Sequence, residues 1–255
     1  MQIDVDQWLS SVLGYATFKV SLEVDERAEG IVGSDDLGFI SSHQLRFDRA
    51  FYYIKVSAHR VDLVHALGAV GFRVVDVNTT FSRRPDAQEG NCSDYIVITD
   101  DILPDHYGAV LDIAESSFVH SRFHLDPLIC NETANSLKRA WVENYINNKR
   151  GERLIVAIID DVPVGFLAVL AKSIDGKETR IIDLVAVGSE HQGRGVGKAM
   201  VSYFVRRYAG VCPLLRVGTQ VANAVSLRLY EKAGFLLDEA TFILHAHTKT
   251  GKALG

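Results

Sequence analysis

Residues 180–197 read RIIDLVAVGSEHQGRGVG, and the fold turns on how this stretch is parsed. Arg180–Val187 is rich in Ile, Val and Leu and predicts a largely buried strand. Gln192–Gly197 then places three glycines in five positions. Val196, Met200, Tyr203 and Phe204 follow at helical spacing, so a helix opens as the glycine run ends. Glycines let the backbone pass close to a ligand. Consecutive N–H groups at a helix start can then point at one anion, and the helix dipole adds to the attraction. The stretch predicts a site for a phosphate or diphosphate.

Two common phosphate motifs do not fit. The GxxxxGK[ST] loop fails because Ala199 stands where Ser or Thr is needed and the glycine spacing is wrong. The dinucleotide pattern GxGxxG fails because no glycine follows at its sixth place. What does fit is Q-x-x-G-x-G, Gln192 to Gly197, directly after the strand LVAV. Downstream comes a further strand, then Asn223, then Leu229-Tyr230-Glu231-Lys232-Ala233-Gly234-Phe235. This order resembles the GCN5-related N-acetyltransferases (GNAT) from Tyr95 to His247. The resemblance implies an α/β fold with a mixed, mostly antiparallel central sheet flanked by helices. It also implies acetyl-CoA as cosubstrate, with no metal. The backbone amides of Gln192, Gly193, Arg194, Gly195, Val196 and Gly197 would hold the CoA diphosphate. Val185, Ala186 and Val187 would hydrogen-bond the pantetheine arm, and Asn223 would meet that arm near the thioester.

Composition sets the outer bounds. A chain of 255 residues is long enough for one or two domains, and 47% hydrophobic residues support a full core. A net charge of −5 gives no reason to expect nucleic acid or an anionic membrane. The start, MQIDVDQW, has acids where a secretory leader has Lys or Arg, and no apolar run reaches the roughly 18 residues that span a bilayer. Cys92, Cys130 and Cys212 are odd in number and widely spaced, which predicts reduced thiols. A cytoplasmic location is the expectation. A small-molecule amine is the expected partner, with a homodimer left open.

Along the chain, residues 1–82 read as a small α/β unit. It has a helix over Asp4–Leu13, strands at Tyr15–Val24, Ala50–Val56 and Phe72–Phe81, a mixed, partly helical stretch at Ser34–Phe47, and a helix over His59–Val70. Residues 83–92 are polar and carry Pro and Gly, so they read as a linker. Residues 93–255 form the acetyltransferase-like part. Tyr95–Thr99 opens it as a strand, and helices follow over Asp105–Phe118 and Asn135–Asn147. Strands Arg153–Ile159 and Val162–Lys172 meet at Asp160-Asp161, a hairpin turn, and Asp175-Gly176 marks another. Leu214–Thr219 is a strand, Asn223 caps a helix to about Ala233, and Phe235–Leu237 and Thr241–His247 close the sheet. LGAVGF at 67–72 echoes YEKAGF at 230–235. The first part is either a partial copy of the second, without the glycine loop, or shares only a common helix–Gly–strand junction.

The chemistry needs few groups. An amine attacks a thioester carbonyl, an oxyanion forms and a thiolate leaves. A strand N–H can hold the oxyanion and a tyrosine can protonate the sulfur. Tyr230 lies about two helical turns after Asn223 and occupies the family's Tyr position; it serves as that acid or only packs its helix. Asp183 stands in an apolar strand and shares parity with Ile181 and Val185. It is either the general base or the partner of Arg180 or another nearby cation, since a buried unpaired charge is costly. A water relay is the third possibility. The nine histidines have no H-E-x-x-H spacing, and His245 and His247, on one strand face, read as ordinary strand residues.

For the acceptor, SRFHLDP at 121–127, WVEN at 141–144 and VGTQ at 217–220 resemble the acetyltransferases of dTDP-4-amino-4,6-dideoxyhexoses. That resemblance implies direct acetyl transfer to the sugar 4-amine. Arg122 and Phe123 would meet the diphosphate and the base, or else are a surface arginine and a core phenylalanine. A peptide or other small-amine acetyltransferase and a silent CoA-binding regulator are the alternatives.

Overall fold

In the computed structural model the apolar run at 180–187 ends an eleven-residue strand, and the helix opens at Val196. The structure describes residues 1–21, 34–90, 95–249 and 252–254. In chain order these hold β1 (Gln2–Val5), α1 (Gln7–Leu13), β2 (Ala16–Ser21), α2 (Ser34–Gln44), β3 (Arg49–Ser57), α3 (Val61–Gly68) and β4 (Arg73–Arg83). Then come β5 (Val97–Thr99), α4 (Tyr107–Ser116), α5 (Asn131–Ile146), β6 (Arg153–Ile159), β7 (Val162–Ile174) and β8 (Lys177–Val187). The chain ends with α6 (Val196–Arg207), β9 (Leu214–Gln220), α7 (Ala224–Lys232), β10 (Leu236–Lys249) and β11 (Lys252–Leu254). Among the described residues no helix is long and apolar enough to cross a membrane.

The residues fall into two units. One holds residues 1–78, 121–133 and 239–255, and the other holds 79–120 and 134–238. The sequence suggested a single cut at 83–92. The observed division is discontinuous because strand pairing carries the far end of the chain into the first unit. There, Thr241–Lys249 of β10 runs antiparallel to Arg49–Ser57 of β3, while β2 is parallel to β3 and antiparallel to β1. Phe18, Ile40, Tyr52, Ile54, Leu63, Leu67, Phe72 and Leu244 fill its core. Asp4 and Val5, expected to start a helix, lie in β1, and α1 starts only after Asp6, whose carboxylate accepts the Leu9 N–H at 2.9 Å. The end of the strand expected at Tyr15–Val24 lies outside the described residues beyond Ser21, as does Cys92.

In the second unit β5, β6, β7 and β8 form an antiparallel meander, and β9 joins β8 in parallel. The mixed, mostly antiparallel sheet expected from the sequence is present. Its two hairpins turn where these two residue pairs predicted: Asp160 and Asp161 have φ 48° and 63°, and Asp175 and Gly176 have φ 50° and 72°. Val196, Met200, Phe204 and Tyr208 pack one face of the sheet; Val110, Ala114, Val142 and Tyr145 pack the other. Residues 83–90, read as a linker, are tied down within this unit. Arg83 pairs with Glu89 at 2.9 Å, Glu89 accepts from Ser202 of α6 at 3.1 Å, and Arg206 donates to the Glu89 and Gly90 carbonyls. Polar composition alone does not separate a tether from a segment whose charges find partners.

The helix ends before the two echoing strands match in detail. Gly71 (φ 88°) and Gly234 (φ 74°) both turn left-handed, and the next residue's N–H reaches back, Phe72 to Leu67 O at 3.1 Å and Phe235 to Tyr230 O at 2.9 Å. Leu67 therefore stands where the second unit has Tyr230.

Candidate active site

The glycine run begins where β8 ends. Gln192 Nε2 donates to the Val187 carbonyl at 3.0 Å, which ties the loop to the strand tip. The exposed Tyr95 adds a second tie, its hydroxyl donating to the Arg194 carbonyl at 2.9 Å. Gly193 and Gly195 have φ 74° and 85°, a region that L side chains avoid, and Gly195 is the N-cap of α6 with no side chain capping it. The first i→i+4 bond of the helix is Ala199 N to Gly195 O. The N–H groups of the preceding turn thus lack helical acceptors and remain for a ligand. A Cβ on Gly193 or Gly195 would meet nothing within 4 Å, so the loop is open on that side. On Gly197 it would meet Leu229 at 3.5 Å and Val187 at 3.9 Å, so α7 and the β8 tip converge on the start of α6.

Beside this loop the sheet opens. β8 and β9 pair in register only from Thr179↔Leu214 to Ile182↔Val217. Beyond that, Asp183–Val187 keeps β7 as its neighbour and pairs no further with β9. In an antiparallel ladder alternate residues turn their N–H and C=O away from the partner strand. Along the splayed half of β8 those groups face the gap. Val185, Ala186 and Val187 are all in it, so the strand and the loop predicted for one coenzyme are neighbours.

Asn223 caps α7, its Oδ1 accepting the Ser226 N–H at 3.1 Å, which leaves the amide NH₂ to donate elsewhere. Tyr230, near the other end of that helix, is 2% exposed, its ring between Phe81 and Phe235 at centroid distances of 6.3 and 6.1 Å. Burial raises its pKa, so the hydroxyl holds its proton at neutral pH. Its ring packs the helix against Phe81 and Phe235.

The structure corrects the reading of Asp183. Ala168 pairs with Leu184 and Val169 with Ile182, so Asp183 is the extra residue of a β-bulge. The bulge breaks the alternation that parity assumed. Val185 and Val187 pack toward α6, whereas Asp183 turns to α5. There its carboxylate accepts from Trp141 Nε1 at 3.0 Å, Tyr145 hydroxyl at 2.7 Å and Arg150 Nε at 2.9 Å. Arg180, the partner suggested by sequence, instead pairs with Glu152 at 2.5 Å. Burial opposes charge on Asp183, but the hydrogen bonds and charge of Arg150, with Tyr145 and Trp141, outweigh it and hold the pKa below the usual carboxylate value. A carboxylate so occupied is a poor base, and its function here is to lock α5 to β8. Tyr145 also explains Gly151: a Cβ there would fall 1.9 Å from the tyrosine ring. Leu137, Trp141 and Tyr145 were legible as a helical stripe, but sequence did not say which face of the sheet they would meet.

Asp183→Asn is therefore expected to cost about 1–2 kcal/mol of stability, as for charged hydrogen bonds in a pair whose arginine is partly open to solvent. Because the folded pKa is depressed, this contribution is fully present above the unfolded carboxylate value and is lost as pH falls through the folded one. Denaturant midpoints of wild type and variant should converge in acid. If Asp183 were instead the base, turnover would drop by ~10²–10⁴ at neutral pH.

Arg122 and Phe123 lie in the first unit. Phe123 is 1% exposed and is a core residue, not a surface for a base. The Arg122 guanidinium stacks on the rings of Tyr53 and Phe123 at 4.1 and 4.5 Å. In the same unit Asp126 joins His245 and His247, the pair on one strand face, in one buried cluster. Burial, partly offset by Asp126, pushes the His245 pKa down to about 4, so that imidazole is neutral.

The comparisons agree with this architecture. Residues 117–235 match the acetyltransferase (GNAT) family. Over 138 residues the chain is 25% identical to the spore coat polysaccharide biosynthesis protein SpsD of Bacillus subtilis (strain 168), covering 54% of this chain and a little under half, 46%, of that relative. A GCN5-related N-acetyltransferase from Sphaerobacter thermophilus superposes with a TM-score of 0.58 at 15% identity, over 94% of this chain and 75% of its own. A tandem GNAT protein from the clavulanic acid biosynthesis pathway superposes with a TM-score of 0.59 at 15% identity, over 91% of this chain and 75% of its own. The helix-start loop, the splayed strands and these likenesses converge on one conclusion: the chain has the GNAT fold, and its residues 117–235 match the acetyltransferase family of that name.

Proposed function

We propose that this protein transfers acetyl directly from acetyl-CoA to a primary amine, and that the amine is the 4-amine of a dTDP-linked 4-amino-4,6-dideoxyhexose. One observation carries the coenzyme half. An uncapped helix start with open glycines stands beside a strand pair that separates after Ile182 and Val217. The first suits a diphosphate and the second an amide-bearing arm lying along a strand. Acetyl-CoA supplies the activated acyl group. Residues 192–197 hold its diphosphate, and Val185–Val187 offer backbone groups to the pantetheine. A β8 N–H facing the gap stabilises the oxyanion as the amine adds, and Tyr230 hands its proton to the departing sulfur. Cys212 is buried, with burial raising its thiol pKa, which argues against an acyl-enzyme at that residue.

With Asp183 committed to Arg150, the amine must arrive with little need of a side-chain base. An amine on a sugar ring loses its proton more readily than a lysine of pKa about 10.4, because the ring oxygens withdraw electron density. That favours an amino sugar over a lysine side chain. The likeness to a protein named for polysaccharide biosynthesis points the same way. The test is a panel of amines with acetyl-CoA, read by thiol release: amino-sugar nucleotides, polyamines, aminoglycosides and peptide N-termini. The highest kcat/KM is expected on a dTDP-4-amino-4,6-dideoxyhexose. Turnover confined to peptides or polyamines would replace the acceptor while leaving the acetyltransferase reading intact.

A further inference from the structure

The cluster in the first unit is chemically of another kind. Asp126 Oδ2 lies 2.6 Å from His245 Nδ1 and 2.8 Å from His247 Nε2, and the ligand atoms of the three residues all fall within 4.8 Å of one another. All three side chains are buried, at 2%, 1% and 9% exposure. His245 and His247 sit at i and i+2 of β10, so both imidazoles leave the same face of the strand. Asp126 comes from the segment 121–133, more than a hundred residues away in sequence. Its second oxygen accepts the Leu128 N–H at 2.9 Å, which orients the carboxylate so that Oδ2 faces the two rings.

We propose that Asp126, His245 and His247 supply three ligands of a site for a divalent d-block ion, with zinc the first choice and a water as the fourth ligand. Two imidazoles and a carboxylate are a donor set that such ions favour over Mg²⁺ or Ca²⁺, which take oxygen. Bonds of about 2.0–2.1 Å in tetrahedral geometry put ligand atoms roughly 3.3 Å apart. The two Asp126 separations, 2.6 and 2.8 Å, have to open by well under an ångström, and the two imidazole nitrogens, within 4.8 Å of each other, have to settle to the same spacing. Each imidazole stays neutral on binding, because its proton passes to the far ring nitrogen and the near lone pair goes to the ion.

His245 gives the independent support. Its Nε2 is buried without a hydrogen-bond partner. While Nδ1 carries the proton toward Asp126, Nε2 is a buried lone pair with no donor, a costly arrangement. With Nδ1 on a metal, Nε2 becomes an N–H. The rings nearby are Phe51, perpendicular at 4.6 Å, and Phe123 at 6.2 Å, and aromatic rings accept N–H weakly but do not welcome a lone pair. The carboxylate held by the Leu128 N–H is the outer-shell support that metal ligands commonly have. Enclosed in this way, the ion would pin the segment carrying Asp126 to β10.

The experiment uses untagged full-length protein stripped with a chelator. Refilling with Zn²⁺ is expected to restore one ion per chain and raise Tm on the order of 5 °C at saturating metal. Co²⁺ should give visible d–d absorption without a sulfur-to-metal charge-transfer band, since no cysteine belongs to the set. His247→Phe should remain folded by circular dichroism and lose both responses, and His247→Gln covers the case in which the larger ring disturbs β10. Stripped wild type that stays folded and takes up neither ion would overturn the proposal, leaving a hydrogen-bonded triad only. So would equal uptake by folded His247 variants, or Co²⁺ bound through sulfur.

Discussion

Tyr230→Phe should leave acetyl-CoA affinity unchanged and lower kcat by ~10²–10⁴, the usual loss when a positioned acid is removed. The substitution is narrow. Phenylalanine keeps the ring that packs with Phe81 and Phe235, so α7 and the start of α6 keep their places. Only the hydroxyl goes. Because burial raises the Tyr230 pKa, the wild-type proton is in place across the neutral range, and the rate deficit should be flat from about pH 6 to 9. Steady-state kinetics at saturating amine, with calorimetry for acetyl-CoA, separates the two effects. A kcat within a few-fold of wild type would remove Tyr230 from the chemistry and leave it as a packing residue.

Gly195→Asp should weaken acetyl-CoA binding by about a hundredfold or more, equivalent to ~3 kcal/mol. Gly195 is the N-cap of α6 at φ 85°, and a Cβ there meets nothing within 4 Å. The protein should therefore fold. Aspartate tolerates left-handed backbone better than most residues and is a favoured N-cap. Its carboxylate can accept the same N–H groups that the diphosphate needs, and it repels the phosphates besides. The variant thus carries its own competitor. Gly195→Ala separates backbone strain from charge, and its loss should be much smaller. Unchanged affinity in a folded Gly195→Asp protein would mean that the coenzyme diphosphate lies elsewhere.

The two experiments probe features that differ in how far they can be read without coordinates. The loop at 192–197, the turns at Asp160-Asp161 and Asp175-Gly176, the cap at Asn223 and the left-handed Gly234 are local. Each depends on the backbone preferences of a few adjacent residues, so the residue types alone predicted them, and the order of these signals predicted the family fold.

Asp183 shows where that reasoning stops. Its parity with Val185 holds for a regular strand. The bulge against Ala168 and Val169 reverses its side, and whether a bulge forms depends on the partner strand. Its true partners, Trp141, Tyr145 and Arg150, are more than thirty residues away, where the sequence offered Arg180, three residues off, or some other cation. The same limit applies to β10. Its residues read as closing the acetyltransferase-like part, but ladder bonds to Arg49–Ser57 group most of it with the first unit. It also hid the meeting of Asp126 with His245 and His247, since nothing in a spacing of 119 residues favours that contact. Local conformation, helix caps and the glycine loop were thus determined by the sequence itself. Pairings across long loops were decided only by tertiary structure, because their free energy comes from burial and ladder bonds that exist once distant segments have come together.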